Sequence, residues 1–280
     1  MLWRALKHVK NGFYIDVGAN DPTHDSVTRV FYENGWRGIN IEPITHHHAD
    51  LVRDRLRDIN LRCAVGAYDG ELQIWETDVQ GWSTADTTVI SELEAKGHLG
   101  TYHCVPVRTL RDICAEYTNG DIHFLKIDVE GFEQSVLQGS DFVKYRPWIV
   151  VVEANSPNSV TEAHHKWEHL LLNASYSFAY ADGLNRFYLA DEYNQLRGEL
   201  RYPPNVFDDF LRYREVQVQT VVLQAETAVR VAEQRAKEAQ LRIETGEQQL
   251  NAIYSSHSWR ITAPLRQATN FFKKMKINRK

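Results

Sequence analysis

The chain contains 280 residues, 43% of them hydrophobic and 25% charged, a composition that excludes a fibrous or wholly disordered protein. The length accommodates one α/β domain and a smaller second element. The net charge of −5 is unevenly spread, because residues 248–280 carry seven Lys or Arg and no acid, which leaves −12 on the preceding residues. An acidic body argues against nucleic acid as a partner, whereas a basic end favours contact with an anionic surface.

Targeting signals are weak throughout the chain. No apolar run approaches the roughly 20 residues of a membrane-spanning helix, and the N-terminus lacks the apolar region of a secretory signal. Cys63, Cys104 and Cys114 are widely spaced and odd in number, which argues against a disulfide framework. We therefore expect a cytoplasmic protein in a reducing compartment.

Short β-rich segments alternate with helical patterns over the first two thirds of the chain. The predicted strands cover residues 13–17, 38–42, 61–65, 72–75, 105–107, 124–129, 148–153, 177–180 and 186–189. The predicted helices cover residues 26–36, 45–58, 109–117, 131–137 and 164–173. This alternation predicts a Rossmann-like α/β fold, with a mostly parallel sheet, helices on both faces and an antiparallel edge hairpin at its end.

Residues 76–103 fit no strong secondary-structure pattern. An insertion of that length in a compact domain is more often functional than not. We interpret this segment as a lid or a substrate-binding segment.

The pattern changes after Pro203 and Pro204, where residues recur in a 4-3 repeat. The repeat positions are 218, 222, 225, 229, 232, 236, 239, 243, 246, 250 and 253, and Gly246 alone interrupts their apolar seam. The repeat predicts a coiled coil and a homo-oligomer, and the alternative is a single helix that folds back on the domain. The expected organisation is a domain over residues 1–200, a linker over 201–214, a coiled-coil helix over 215–253 and a basic tail over 254–280.

Residues 15–20 (IDVGAN) place Asp16 near the end of a strand, before a turn of small residues that lets backbone N–H groups approach a ligand. In dinucleotide sites this turn reads GxGxxG and holds a pyrophosphate, but here only Gly18 of that set is present. The pattern favours a ligand without phosphates, such as the amino-acid part of S-adenosyl-L-methionine. The alternative is a tight turn that binds nothing.

Two further strands end in acids. Glu42 closes the second strand, 26 residues after Asp16, where a carboxylate binds both ribose hydroxyls of a nucleoside. Asp128 and Glu130 lie at the end of the strand predicted over residues 124–129, at the edge where open α/β sheets bind ligands. Either carboxylate can accept a proton from a hydroxyl, and the alternative is an N-cap role for the helix that begins at Gly131.

Five segments together resemble the FkbM family of methyltransferases. They are residues 15–20, 40–43 (NIEP), 63–66 (CAVG), 109–112 (TLRD) and 125–133 (LKIDVEGFE). The resemblance covers roughly residues 12–190 and implies a class I methyltransferase fold and an S-adenosyl-L-methionine-dependent O-methyltransferase. Asp21 and Pro22 depart from the family pattern, in which a glycine follows the Asn. They resemble a subset found with polysaccharide biosynthesis genes, as do residues 81–86 and 182–188.

The resemblance also implies roles for single residues. The implied cofactor-binding residues are Asp16, Gly18, Asn20 and Glu42. The implied acceptor-side residues are Asp128, Glu130 and Glu153. His24, just beyond the first turn, is a further candidate base. The expected acceptor is a sugar hydroxyl of a surface polysaccharide or of its lipid-linked precursor, and Trp82 either stacks on a sugar face or only anchors its loop.

Two groups of side chains bear on a metal. His46, His47 and His48 are consecutive and point in different directions on a helix, so we interpret them as a solvated helix start. The three acceptor-side acids offer oxygen ligands for a divalent ion, as the alternative to a metal-free site. The expected site contains no metal.

Residues 254–266 resemble a C-terminal element of glycosyltransferases and sugar-modifying enzymes from surface-polysaccharide clusters. Basic residues there and beyond are interleaved with Trp259, Leu265, Phe271 and Phe272. This pattern favours an interfacial helix at the inner membrane face, or contact with a polysaccharide-assembly protein, over a disordered tail.

Two other function classes are disfavoured. An NAD-dependent sugar-nucleotide enzyme lacks support because two glycines of the dinucleotide turn are missing and no Tyr-x-x-x-Lys pair occurs. A non-catalytic scaffold or tether would act through the coiled coil, but the acids at three strand ends are intact.

Overall fold

Two units make up the computed structural model, Met1–Phe210 and Leu211–Lys280. It describes residues 1–78, 83–156, 161–208 and 213–277. Within these ranges the first unit is a mixed α/β domain and the second is helical. Trp82, for which sugar stacking and loop anchoring are the two alternatives, lies outside the described residues.

The strands of the first unit form two sheets. The strand bounds are β1 Phe13–Val17, β2 Arg37–Ile41, β3 Ile59–Leu61, β4 Ala64–Val65, β5 Gly70–Thr77, β6 Gly100–Arg108, β7 Phe124–Ile127, β8 Ile149–Glu153, β9 Tyr176–Ala181 and β10 Asn185–Ala190. The main sheet has the order β3-β2-β1-β7-β8-β10-β9, and the small sheet has the order β4-β6-β5.

The main sheet is parallel from β3 to β8, and β10 pairs antiparallel with β8 and β9. Its central strands are apolar runs because both faces are buried. The chain moves outward from β1 through β2 to β3 and then returns to β7 on the other side of β1. Open α/β sheets bind ligands at such a reversal, outside the carboxyl ends of the strands. The predicted parallel sheet and antiparallel edge hairpin are confirmed.

Helices cover both faces of the sheet. Their bounds are α1 Leu2–Leu6, α2 Arg29–Glu33, α3 Thr45–Asp54, α4 Thr87–Ala95, α5 Leu110–Tyr117, α6 Glu133–Gln138 and α7 Glu168–Asn173, with 3-10 helices at His164–Lys166, Asp191–Gly198 and Val206–Asp208. Alternate strand residues feed two apolar clusters. Ile15 and Leu125 belong to one cluster, and Tyr14 and Phe124 to the other.

The helix predicted over residues 26–36 is shorter than expected. Only Arg29–Glu33 is helical, and Val27 and Val30 are each 37% exposed instead of facing the core. Thr28 donates its hydroxyl proton to the Asp16 carboxylate at 3.1 Å, so the chain before α2 packs against the end of β1. The helix predicted over residues 45–58 likewise ends early, at Asp54.

Residues 76–103, whose sequence shows no strong secondary-structure pattern, contain regular structure in their described part. This part contains the end of β5, helix α4 and the start of β6. Asp86 caps α4 by accepting hydrogen bonds from two backbone N–H groups, and Ile90 and Leu93 bury their side chains with Trp75. The first half of β6 is largely exposed, which is why its sequence lacks the apolar alternation of a strand.

The second unit contains, where it is described, α8 Tyr213–Ser255, α9 His257–Ile261 and α10 Ala263–Ile277. Ser256 separates the first two helices and caps α9 by accepting a hydrogen bond from the Trp259 backbone N–H. No helix among the described residues is both long enough and apolar enough to cross a membrane. The side chains of Phe271 and Phe272 lie outside the described part.

Candidate functional site

A cavity of about 380 Å³ lies at the carboxyl ends of β1, β2 and β7, at the reversal in strand order. The sequence-predicted residues that line it are Asp16, Gly18, Asn20, His24, Glu42, Asp128 and Glu130. Glu153 closes the neighbouring strand β8, and its carboxylate lies within 4.8 Å of ligand atoms of Asp128 and Glu130. The fold therefore brings all eight predicted residues to one end of the sheet.

Gly18 allows two strand ends to meet. Its φ is +79°, a left-handed conformation that favours glycine, and a Cβ at this position would lie 1.8 Å from the carbonyl oxygen of Asp128. The Asp128 backbone N–H in turn donates to the Val17 carbonyl at 3.0 Å. The turn after β1 and the acids after β7 are thus held against each other.

Asp16 is buried and paired within the protein. Its carboxylate lies 3.2 Å from the Lys126 ammonium and accepts a hydrogen bond from Thr28. Lys126 also lies 3.3 Å from the Asp128 carboxylate and donates to the Gly18 carbonyl at 3.2 Å. Burial opposes the charge of Lys126, but the two carboxylates outweigh it and raise the pKa of its ammonium. Lys126 therefore ties the two acidic strand ends together.

Glu42 holds the turns that follow β1 and β2. Its carboxylate accepts hydrogen bonds from the backbone N–H groups of Asn20, at 2.9 Å, and Ile44, at 2.8 Å. Burial outweighs these bonds and raises the pKa of Glu42 to about 7. Asn20 has a left-handed φ of 48°, and its side-chain Oδ1 is buried with no hydrogen-bond partner among the described residues. Each Glu42 oxygen retains a second lone pair for a ligand.

Asp128, Glu130 and Glu153 form an acidic cluster, in which Glu130 has an unusual backbone conformation. Its φ is 50° and that of Gly131 is 101°, so two successive residues are left-handed. The Glu130 carbonyl accepts a hydrogen bond at 2.8 Å from the hydroxyl of Thr84, which comes from the segment before α4. Thr84 is itself fixed by two backbone hydrogen bonds with Trp75. The small sheet therefore supports the acidic turn.

The acidic cluster perturbs its own titration. Burial, followed by the charges of neighbouring carboxylates, raises the pKa of Glu130 to about 8 and that of Glu153 to about 10. A carboxyl group with a pKa near neutrality can take up and release a proton at physiological pH. The cluster therefore combines acceptor oxygens with groups suited to proton transfer.

The N-cap alternative for Asp128 and Glu130 is wrong. Helix α6 begins at Glu133 with Phe132 as its N-cap and no side-chain capping bond. Glu133 instead bonds the turn, because its carboxylate accepts from the backbone N–H groups of Val129 and Gly131. Asp128 and Glu130 are left to line the cavity.

The histidines lie around the cavity rather than in its acidic end. His24 lines the mouth with an exposed side chain, 3.2 Å from Asp21. His47 lines the cavity, His46 lies 3.4 Å from Glu76, and His48 contacts the backbone of Asn60. Burial lowers the pKa of His47.

Sequence reasoning missed two residues that organise the site. Lys126 interrupts an apolar strand, which was a usable signal, because a buried lysine requires an anionic partner. Thr84 offered no such signal, since its partner is a backbone carbonyl 46 residues away.

Comparison with known proteins shows the family. Residues 16–178 match the family model for the methyltransferase FkbM domain. Among solved structures, the chain is similar to a methyltransferase FkbM from Methylobacillus flagellatus KT, with 16% identity and a TM-score of 0.39. That similarity covers 64% of this chain and 43% of the other, so this chain spans less than half of that structure. No curated protein matches the chain. Because the family model covers more than half of its residues, the chain belongs to the FkbM family of methyltransferases.

Proposed function

We propose that the protein is an S-adenosyl-L-methionine-dependent O-methyltransferase that acts on a sugar hydroxyl of a surface polysaccharide or of its lipid-linked precursor. The observation that carries the proposal is one cavity with two chemically different ends. Asn20 and Glu42 follow β1 and β2, whereas Asp128 and Glu130 follow β7 on the other side of β1, and all four line the cavity. A donor and an acceptor held in one cavity meet the main requirement of methyl transfer, which is alignment.

The first end of the cavity fits the donor. Ile44, Ala64 and Ile74 supply an apolar wall for adenine, and the lone pairs of Glu42 suit ribose hydroxyls. The orphaned Oδ1 of Asn20 suits an ammonium group. When bound, the cofactor supplies a methyl group on a positively charged sulfur. The acidic surroundings favour a cation over a phosphate.

The second end of the cavity fits a hydroxyl acceptor. Carboxylates accept hydrogen bonds from hydroxyl groups, whereas they repel phosphates and carboxylates. We assign Glu130 as the base that would receive the proton of the acceptor hydroxyl when the methyl group passes from the cofactor sulfur to the hydroxyl oxygen, which would leave S-adenosyl-L-homocysteine. The raised pKa of Glu130 makes it a stronger base than an ordinary carboxylate. Asp128 and Glu153 orient the acceptor.

Calorimetry tests the part of the proposed function that concerns cofactor binding. We expect S-adenosyl-L-methionine and S-adenosyl-L-homocysteine to bind with a Kd of about 1–100 μM, as is ordinary for enzyme ligands. Asp16→Ala and Glu42→Ala should abolish this binding, whereas Glu94→Ala, which removes an exposed acid from α4, should leave it unchanged. A folded wild-type protein that binds neither compound would favour the scaffold alternative.

A methyl-transfer assay tests the part of the proposed function that concerns the acceptor. Purified protein should transfer a radiolabelled methyl group to polysaccharide or lipid-linked glycan from its own organism. Glu130→Gln should reduce the rate by about 10²–10⁴, the usual contribution of a general base, while cofactor binding persists. Equal transfer by this variant would remove Glu130 from the role of base.

The second unit suggests how the enzyme is assembled and placed. We infer that α8 pairs with a second copy of this chain, and that the basic tail contacts an inner membrane surface or a polysaccharide-assembly protein. The exposed apolar seam of α8 supports the first inference, and the charge of residues 248–280 supports the second.

A further inference from the structure

We propose that Asp128, Glu130 and Glu153 bind a divalent cation through their carboxylate oxygens, at the acceptor end of the cavity. The ion belongs to the class that prefers oxygen ligands, with Mg²⁺, Mn²⁺ and Ca²⁺ as its members. This site replaces the metal-free expectation. Its occupancy is independent of the proposed function, but its use in orienting an acceptor rests on that function.

The spacing of the three carboxylates matches a shared ion. One ligand atom from each residue lies within 4.8 Å of those of the other two. Oxygen ligands about 2.0–2.6 Å from one ion lie no more than about 5 Å apart. Asp128 directly follows β7, Glu130 lies in the left-handed turn whose carbonyl Thr84 binds, and Glu153 ends β8.

Glu153 supplies a second, independent observation. It is only 7% exposed, and its Oε2 is buried without a hydrogen-bond donor among the described residues. The polar group with which it interacts is the carboxyl of Asp128, which is itself an acceptor. A buried carboxylate is stable only when a cation or a proton balances it. One of its carboxylate oxygens lies within 4.8 Å of ligand atoms of Asp128 and Glu130.

The protein's own positive charge does not balance this cluster. Lys126 lies 3.3 Å from Asp128, but it is shared with the buried Asp16. Glu133 adds another buried carboxylate nearby, and the charges that act most strongly on Glu153 all belong to carboxylates. When its carboxyls are ionised, the cluster has excess negative charge, which a divalent ion would neutralise in place of the protons that balance it in the metal-free protein.

The donor set determines the class of metal and its use. Three carboxylates without a nitrogen or sulfur ligand favour hard cations over zinc or copper. Three protein oxygens also leave positions of a six-coordinate ion open. Neighbouring hydroxyl groups of a sugar can occupy two of them, and coordination lowers the pKa of a bound hydroxyl. The inferred acceptor is thus a vicinal diol. The ion would orient the hydroxyl group whose proton Glu130 receives.

Titration of the full chain with Mn²⁺, without cofactor, tests the proposal through the free-ion signal in electron paramagnetic resonance. We expect one bound Mn²⁺ per chain, displaced by Mg²⁺. Glu153→Gln should weaken binding at least about tenfold, as loss of one charged ligand implies, while Glu94→Gln should not change it. Because glutamine replaces a buried carboxyl with a neutral group of the same shape, the metal-free variant should unfold at a temperature no lower than the wild type.

Two results would overturn the site. One is the absence of bound Mn²⁺ on folded wild-type protein, which is what a proton shared between Asp128 and Glu153 predicts. The other is an unchanged affinity in both Glu153→Gln and Glu130→Gln. Calorimetry with S-adenosyl-L-methionine on the same metal-free samples reports cofactor binding separately. Failure of cofactor binding beside intact Mn²⁺ binding would remove the proposed function and leave the metal site.

Discussion

At the scale of single residues, substitution of Gly18 tests how closely the carboxyl ends of β1 and β7 must approach. Gly18→Ala places a methyl group 1.8 Å from the Asp128 carbonyl oxygen and forces alanine into a left-handed conformation. We expect a loss of more than about 3 kcal/mol in the free energy of unfolding, measured by denaturant titration. Gly35→Ala is the matched control, with φ +86° and nothing within 4 Å, and should lose about 1–2 kcal/mol. Equal losses would show that the close approach is unimportant.

Glu42 gives the ligand-free protein a distinctive pH dependence. Burial raises its pKa from 4.5 to about 7, so the folded state holds a proton between these pH values that the unfolded state has released. This contribution to stability is full below pH 4.5 and is lost as the pH rises through 7. The free energy of unfolding of Glu42→Gln should therefore rise by about 3 kcal/mol relative to that of the wild type as the pH increases from 4.5 to 8.

The measurement is the free energy of unfolding of both proteins at several pH values. The difference between them isolates Glu42 from other titrating groups. The glutamine also loses one hydrogen bond to a backbone N–H, but that cost does not depend on pH. A difference that stays constant from pH 4.5 to pH 8 would contradict the raised pKa.

Sequence reasoning located the acids of the site but not their pairing. Asp16, Glu42 and Asp128 were found because each follows a strand, and the carboxyl ends of parallel strands meet at one edge. The pairing of Lys126 with Asp16 depends on a separation of 3.2 Å between residues far apart in the chain. The left-handed turn at Glu130 is set by tertiary contacts, because an isolated glutamate avoids that conformation.

At the scale of elements, the apolar seam of α8 predicts that the chain associates with a second copy of itself. Its 43 residues would span about 65 Å, and its seam residues Val222 and Val229 are 49% and 57% exposed in one chain. We expect Val229→Asp to shift the protein from oligomer to monomer in sedimentation velocity, because a charge in a coiled-coil seam is desolvated on pairing.

The neighbouring Val231 provides the control, since it is 45% exposed but lies outside the 4-3 repeat. Val231→Asp should leave the oligomer intact. A wild-type chain that is monomeric at tens of micromolar would refute self-association through α8, at concentrations where ordinary coiled coils assemble.

Elements were predictable where burial was complete on one or both faces. The central strands are mostly apolar, interrupted only at a few positions such as Asp16 and Lys126, and so their positions follow from the sequence. β6 covers Gly100–Arg108 and is longer than the strand predicted over residues 105–107. Hydrogen bonding to β5, rather than burial of an apolar pattern, holds its exposed half. α2 covers only Arg29–Glu33, and Thr28 just before it donates a hydrogen bond to Asp16 in β1, a tertiary contact that the apolar pattern does not reveal.

At the scale of the whole chain, the basic tail predicts binding to anionic membranes. Arg266 lies 3.7 Å from the centre of the Trp259 ring, so cationic and aromatic groups are presented together. Vesicles with phosphatidylglycerol should carry the protein in flotation at low salt and release it at high salt. Combined Arg260→Gln and Arg266→Gln should abolish flotation.

The control removes the same charge from α8, by Arg235→Gln and Arg242→Gln, which are exposed. Each cation near an anionic surface contributes about 1 kcal/mol, so loss of two in the tail should weaken binding about thirtyfold. Equal flotation by the two double variants would show that the tail has no special role and would favour a protein partner.

The small sheet has a consequence for how such enzymes diversify. The chain leaves β4 at Val65 and comes back at Arg108, and these two residues are register partners in parallel strands. Everything between them is a cassette whose ends lie about 5 Å apart, and insertions with adjacent ends are well tolerated. Because Thr84 of this segment donates a hydrogen bond to the Glu130 carbonyl, an exchange of residues 66–107 between relatives that keeps Ile74 of the adenine wall should change acceptor choice, while Mn²⁺ and cofactor titrations stay close to wild type. A chimera that folds but keeps its original acceptor would place specificity elsewhere in the chain.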